Sequence, residues 1–202
     1  SSATFIRSNE SQNKFISLSV SKENKFDNIY FTFDSTSSKG YDSKDAIRLV
    51  PLTRVPRIAS MIISEGKALK INSLPSNYDS VMVFPLQILS LNLDSLGNYI
   101  GIKDSLILNF NEINLPENMN VYIHDSYSGL KHSISNVQEL SIITDSIGVI
   151  DFGLNSPTNQ YLDYGEHRYL ISFQYSMLSN NSNQLIPESY QLFQNYPNPF
   201  NP

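Results

Sequence analysis

The feature that most constrains this chain is a period-two alternation of apolar and small polar side chains. Phe15-Ile16-Ser17-Leu18-Ser19-Val20-Ser21 alternates over seven residues, which in an extended chain sends Phe15 or Ile16, Leu18 and Val20 toward a core and the serines toward water. Asn28-Ile29-Tyr30-Phe31-Thr32-Phe33 repeats the pattern with β-branched and aromatic types, the residues that fill a pleated, half-buried surface. Only Glu23-Asn24-Lys25 intervenes, so the two strands are predicted to pair as a hairpin. Further strands are predicted at 46–50, 59–63, 68–72, 81–88, 99–103, 106–110, 120–124, 130–134, 140–144, 149–152 and 168–175. About a dozen short strands at this spacing predict an all-β, mostly antiparallel sandwich. Residues 35–46 and 135–140 have room for a helical turn, but neither carries an apolar i, i+3, i+4 stripe.

Proline placement supports that reading. Pro51, Pro56, Pro75 and Pro116 fall between predicted strands, where a missing backbone donor breaks no ladder. Pro85 falls inside 81–88, so that segment is predicted to be an edge strand, to bulge, or to split at Phe84. With 202 residues, 40% of them hydrophobic and 16% charged, and with 12 Tyr and 11 Phe, the chain can fill a core and is neither a disordered acidic chain nor a helical Lys/Glu-rich one. Its net charge of -5 and scattered basic residues argue against nucleic acid or an anionic membrane as partner.

No apolar run approaches the roughly 18 residues of a membrane span. The longest, 81–88, is interrupted by Pro85 and Gln87, so no membrane insertion is expected. The chain opens at Ser1 without Met or a signal pattern and reads as a mature or excised piece of something longer.

Reactive chemistry is sparse. With no cysteine, disulfides, thiolate zinc sites and cysteine nucleophiles are excluded. His124, His132 and His167 are separated by eight and thirty-five residues, which gives no local imidazole pair for zinc, and none sits in a nucleophile-elbow context. His124-Asp125 is the one His with an adjacent carboxylate and reads as a hydrogen-bonded surface pair. The glycines are dispersed, without a phosphate loop. Glu65, Glu112, Asp125 and Asp151 offer carboxylates for glycoside cleavage, but no spacing selects a pair.

The chain is therefore expected not to be an enzyme, with no catalytic residue and no cofactor. Asp34, Asp42 and Asp45 bracket a Ser/Gly loop and are the calcium candidates, although Asp in turns ordinarily caps backbone amides. Among tyrosines near loops, which include Tyr99 and Tyr161, Tyr127 and Tyr164 are the candidates for stacking a glycan. Their alternative reading is the wet rim of a sandwich core.

Composition shifts after Tyr175. Ser179-Asn180-Asn181-Ser182-Asn183-Gln184 has nothing to bury, so 1–175 reads as the sandwich and 176–189 as a polar linker. Four of the ten prolines then fall in the last sixteen residues. The run Gln194-Asn195-Tyr196-Pro197-Asn198-Pro199-Phe200-Asn201-Pro202 resembles the opening of the type A C-terminal sorting domain of proteins exported by the type IX secretion system of Bacteroidetes and related bacteria. That resemblance makes 190–202 the truncated start of a sorting domain.

The body resembles, less closely, the β-sandwich that often precedes such domains, through Tyr41-Asp42-Ser43-Lys44-Asp45-Ala46-Ile47-Arg48-Leu49, Leu69-Lys70-Ile71-Asn72-Ser73-Leu74-Pro75, Gly97-Asn98-Tyr99 and Arg168-Tyr169-Leu170-Ile171-Ser172-Phe173. The resemblance implies a jelly-roll type sandwich, an extracellular or outer-membrane surface location, and as partners the type IX machinery and neighbouring domains of the parent chain.

Seven of eleven aspartates precede serine, while about one residue in seven is serine. Turn chemistry accounts for such pairs, because both side chains bond nearby backbone amides. Ser35, Ser80, Ser95, Ser105 and Ser146 also resemble the Asp-Ser/Thr-apolar acceptor for O-glycans on exported Bacteroidetes proteins. The expectation is a non-catalytic structural or interaction module of a surface protein, in one variant self-associating by strand addition from residues 1–10 or the tail. The alternative is a carbohydrate-binding accessory module of a secreted enzyme.

Overall fold

The computed structural model describes residues 14–49, 54–78, 81–135, 137–150 and 167–176. Within them lie thirteen strands: β1 (Lys14–Lys22), β2 (Lys25–Asp34), β3 (Ala46–Ile47), β4 (Arg57–Ser64), β5 (Lys67–Pro75), β6 (Met82–Leu93), β7 (Tyr99–Ile102), β8 (Asp104–Asn114), β9 (Met119–Asp125), β10 (Lys131–Ser133), β11 (Glu139–Thr144), β12 (Ile147–Ile150) and β13 (Tyr169–Tyr175). No helix occurs among the described residues, and so none there is long and apolar enough to cross a membrane. The chain is all-β, as the alternation predicts.

The strands form one hydrogen-bonded path, β10-β9-β13-β6-β4-β5-β2-β1-β8-β11, with β7 added to β6, β12 to β7 and β3 to β5. Every pairing is antiparallel except β2 with β5. The predicted β1–β2 hairpin forms, Lys22 opposite Lys25, with Glu23 at φ 54°. The β4–β5 hairpin turns through Glu65 (φ 48°) and Gly66 (φ 72°). Two left-handed residues in a two-residue loop match the right-handed twist of the flanking strands, and Gly meets that requirement without Cβ strain.

The sheet changes direction at β5. Ile62 of β4 and Ile47 of β3 flank Leu69, whereas Tyr30 of β2 and Ala46 of β3 flank Ile71. Since β3 keeps one edge throughout, β4 and β2 share the other in succession. This exchange of partners lets a single sheet curl so that its two arms face each other. Phe31 of β2 lies 4.8 Å, centre to centre, from Phe173 of β13 and 6.0 Å from Phe84 of β6, and Phe33 lies 5.7 Å from Phe173, in tilted and edge-on geometries. Around these rings gather Ile16, Leu18 and Val20 of β1, Leu106 and Leu108 of β8, Val121 and Ile123 of β9, and Ile171.

A polar bolt holds the corner. Asp27, at the start of β2 and only 8% exposed, accepts hydrogen bonds from Ser60 N (2.7 Å) and Ser60 Oγ (2.8 Å) of β4. Its other oxygen takes Lys70 Nζ of β5 at 2.9 Å and Arg48 Nη2, just after β3, at 3.0 Å. Burial pushes the Lys70 ammonium down, against the opposing pull of Asp27. One carboxylate thus joins the four segments that meet where the sheet turns.

One expectation is corrected. Ser17 and Ser19 do not face water: they are 7% and 8% exposed. β1 lies between β2 and β8, where Tyr30 stands opposite Ser17, and Asn28 and Asn109 stand opposite Ser19, so longer neighbours cover the small side chains. Within the strand expected at 46–50, Ala46–Ile47 form β3, Arg48 N bonds Ala68 O at 2.8 Å and Leu49 makes an isolated bridge, while Val50 lies outside the described residues.

Pro85 is accommodated inside an unbroken β6. β13 pairs with residues 82–86 on one edge, and β4 begins on the other only at Leu86, so Pro85 has a neighbour on one side alone, as an edge residue does. Beyond the main core, β4 alternates Ala59, Met61 and Ile63 onto its opposite face, where Leu89, Leu91, Tyr99 and Ile150 form a second cluster. A near-continuous apolar strand is what burial on both faces requires. At the last described residue, Ser176 N donates to Asn118 O at 2.6 Å.

Candidate functional site

Along the edge of β6 opposite β4, β13 covers residues 82–86 and β7 covers 90–93. Residues 87–89 lie in the break between them. A cleft of about 80 Å³ opens there, lined by Gln87 and Leu89 of β6, Tyr127 from the β9–β10 turn, residues 143–147 from the end of β11 to the start of β12, and Arg168 and Tyr169 where β13 begins.

Each wall is fixed by identifiable bonds. Arg168 grips Asp125 with both ends of its fork, Nε to Oδ1 at 3.0 Å and Nη2 to Oδ2 at 2.8 Å, a planar bidentate pairing that defines orientation as well as attraction. The Arg168 guanidinium holds the Asp125 carboxyl below the ordinary carboxylate range, and Asp125 in turn raises Arg168. The guanidinium carbon lies 5.1 Å from the Tyr127 ring centre and 5.3 Å from that of Tyr169, within the range of cation–π attraction. Asp125 Oδ1 also accepts Tyr127 N at 3.0 Å.

Opposite, the Tyr169 hydroxyl accepts from Ile143 N at 2.8 Å and donates to Ile143 O at 3.3 Å, which fastens β13 to the outer strand of the facing arm. Burial pushes this phenol up. Thr144 Oγ1 donates to Ile102 O at 2.9 Å. Gln87, 3% exposed, is the exception: neither its Oε1 nor its Nε2 has a partner. Tyr127, at the mouth, is 61% exposed. This arrangement offers an exposed stacking surface and a neutralised Arg–Asp pair beside a small cleft.

The structure places Tyr127 in the cleft, whereas Tyr164, the other predicted stacking residue, lies outside the described residues. Gln87 and Arg168 were not singled out as site residues from the sequence, although a polar Gln inside the apolar run 81–88 is a visible signal. The expected His124–Asp125 pair does not form. Consecutive strand residues point to opposite faces, so His124 Nε2 bonds Ser172 Oγ at 2.7 Å while Asp125 holds Arg168. Burial lowers His124, with Lys131 adding to the effect.

The Asp-Ser pairs are chiefly turn devices. Oδ1 of Asp34, Asp42, Asp94 and Asp125 accepts the backbone N–H two residues on, from Thr36, Lys44, Leu96 and Tyr127, at 2.8, 2.8, 2.9 and 3.0 Å. Of the calcium candidates, Asp34 also pairs with Lys44 at 2.7 Å, Asp42 also accepts Ser38 N at 2.8 Å, and Asp45 accepts Asp42 N at 2.8 Å and Ser73 N at 2.6 Å. Their oxygens are directed at protein donors, and among the described residues no group of three or more His, Cys, Asp or Glu is placed to hold a metal ion.

Ser35, Ser95, Ser105 and Ser146 are exposed. Ser80, the residues after Ser176 expected to form a linker, and the run from Gln194 to Pro202 lie outside the described residues. Compared with family models, curated proteins and solved structures, the chain matches none.

Proposed function

We propose that this chain is a non-catalytic module of a larger exported protein, a jelly-roll type sandwich displayed outside the cell or on the outer-membrane surface, which spaces or presents neighbouring domains. The observation that carries the reading is the Gln194-to-Pro202 run, with its resemblance to a type IX sorting domain. The fold is compatible with mechanical duty. A single sheet folded over a shared aromatic core, with its corner bolted by Asp27, resists separation of its arms through many contacts and needs no reactive residue. Protease treatment of intact cells of the native host tests this: a surface module is cleaved on the parent strain and protected when type IX export is disabled. Protection in both strains would overturn the proposal.

A second reading, glycan binding, is favoured by one specific observation. Tyr127 presents an exposed ring, backed by Arg168, at the mouth of the cleft. Carbohydrates present C–H faces that lie on such rings. The two readings are compatible, since a surface module that grips a glycan also anchors what it carries.

A further inference from the structure

We infer that β8, where it runs on beyond β11, is an open edge that accepts one extended strand, and that the strand it accepts is the segment 1–13 of a second copy of this chain. The inference is separate from the glycan reading and concerns a different place on the molecule.

β11 ends the strand path and covers β8 only from Asp104 to Asn109. One further bond, Phe110 N to Gln138 O at 3.1 Å, continues that side, and no described strand lies along it at residues 111–114. The core-facing side chains of β8 register the loss of cover. Leu106, Leu108 and Phe110 are 1%, 0% and 9% exposed, whereas Ile113 is 43% exposed, although it stands opposite the fully buried Ile16 of β1.

The backbone points the same way. β8 carries one extra residue at Asn111, since Leu18 faces Phe110 while Ser17 faces Glu112. Such a bulge shifts the alternation by one residue, so Ile113 inherits the outward direction that Phe110 shows in its bond to Gln138 and aims its N–H and C=O away from β1. An edge of this kind is a template for one more strand. Beside it lies a groove of about 540 Å³, walled by Phe110, Asn111 and Ile113 of β8 and by Ile134, Val137 and Gln138 from the stretch between β10 and β11. A second wall so close suits a single extended segment and not another sheet arriving edge-on.

Main-chain pairing gives an added strand its affinity, and alternate side chains give it specificity. Ala3-Thr4-Phe5-Ile6 offers uncharged β-branched and aromatic types, which suit a pleated apolar surface. The stretch after Ser176 is the poorer donor, with four prolines in its last sixteen residues, each lacking the N–H that a ladder uses. Within one chain, residues 1–13 join β1 at Lys14, and Phe15 stands opposite Asn114. To reach the outer edge of β8 they would have to pass round its end and run parallel to it. The segment of a second copy is free to run antiparallel, the more stable arrangement. Each copy then gives one segment and receives another, a head-to-tail contact that propagates into chains of modules.

Sedimentation velocity of the full chain over a rising concentration series, with and without an excess of a synthetic peptide of residues 1–13, tests this. The expected result is a sedimentation coefficient that rises with concentration and returns to the monomer value when the peptide is added. The peptide should also shift the ¹⁵N amide signals of Phe110 to Asn114, Val137 and Gln138. Ile113→Lys, which charges an already exposed side chain, should abolish both association and peptide binding. Val149→Lys, at a 64% exposed residue of β12, should abolish neither.

Association that persists with the peptide present, or that a folded Ile113→Lys leaves unchanged, would place the contact elsewhere and overturn the inference. A chain that stays monomeric at every concentration would also overturn it. In that monomer, slow exchange of the Ile113 amide would show the edge filled by the chain's own residues, and fast exchange an edge that takes no strand. The peptide competition on the unsubstituted protein decides between these outcomes even if a variant fails to fold.

Discussion

Replacing Asp27 by alanine should do more damage than any other single loss of a surface-proximal carboxylate in this protein. In the folded chain the side chain is 10% exposed and makes four contacts, to Ser60 N and Oγ, Lys70 Nζ and Arg48 Nη2, all within 2.7–3.0 Å. Alanine leaves the Ser60 N–H buried without this partner, a cost of about 1–3 kcal/mol. It also removes the counter-charge of two partly buried cations. Arg48 and Lys70 retain 12% and 26% side-chain exposure, so each can recover some hydration.

Breaking a buried pair by deleting one partner costs roughly 3–5 kcal/mol, and the residual exposure argues for the lower half of that range. Asp27→Asn keeps the shape and one acceptor and should cost about 1–3 kcal/mol. Equilibrium urea unfolding followed by far-ultraviolet circular dichroism measures both. Asp94→Ala serves as the control, because Asp94 caps one exposed turn and joins no second segment of the sheet. If Asp27→Ala costs no more than Asp94→Ala, the corner does not depend on this carboxylate and the account of how the sheet turns is wrong.

Asn72, fully buried with neither amide atom bonded, should give the opposite sign: Asn72→Leu is expected to stabilise the fold by about 1–2 kcal/mol through removal of unmet polar groups, and a loss of stability in the same urea assay would contradict the packing described. Tyr169→Phe deletes both bonds to Ile143 and should cost about 0.5–1.5 kcal/mol per bond at most, visible as faster amide exchange at Ile143. Asp34, Asp42, Asp94, Asp104 and Asp125 all lie below the ordinary 3.8, so they favour the folded state above that pH and the contribution is lost as pH falls through their lower folded values; Asp45, raised by burial, opposes the trend. A pH series of unfolding midpoints should therefore decline below about pH 4, and a rise there would contradict the assigned bonds. On natively purified material, intact-mass and peptide analysis should place any O-glycan at turn serines Ser35, Ser95 and Ser146 in preference to Ser105, which pairs within β8 and β11; modification confined to Ser105 would reverse that ranking.

Much of the fold was legible because a strand with one buried face writes its period directly into the sequence. The hairpin at Glu23, the strand that follows Pro116 and the role of Asp in turns follow from local chemistry, whereas Pro75, expected between strands, is the last residue of β5, opposite Asp34. What stayed hidden depends on neighbours distant in the chain. Ser17 and Ser19 look water-facing until the side chains of β2 and β8 lie over them. Asp27 looks like any polar residue near a hairpin, because Ser60, Lys70 and Arg48 reach it only after β5 has exchanged one partner strand for another.

The cleft was half legible. Tyr127 stood out as an aromatic near a loop, and Gln87 as a polar break in an apolar run, but nothing local says that β13 stops and β7 starts on either side of it. Arg168 likewise reads as the first residue of a strand until Asp125 and two tyrosine rings surround it.

Two arms of one sheet enclose a common core, and that closure also sets Tyr169 against Ile143 and shapes the cleft. Nuclear Overhauser contacts between aromatic rings measure it directly. Closed arms should give cross-peaks between Phe31 and Phe173, whose ring centres are 4.8 Å apart, and between Tyr169 and Ile143. Cross-peaks confined to residues within each arm, with none between Phe31 and Phe173, would show that the arms do not close and would contradict it.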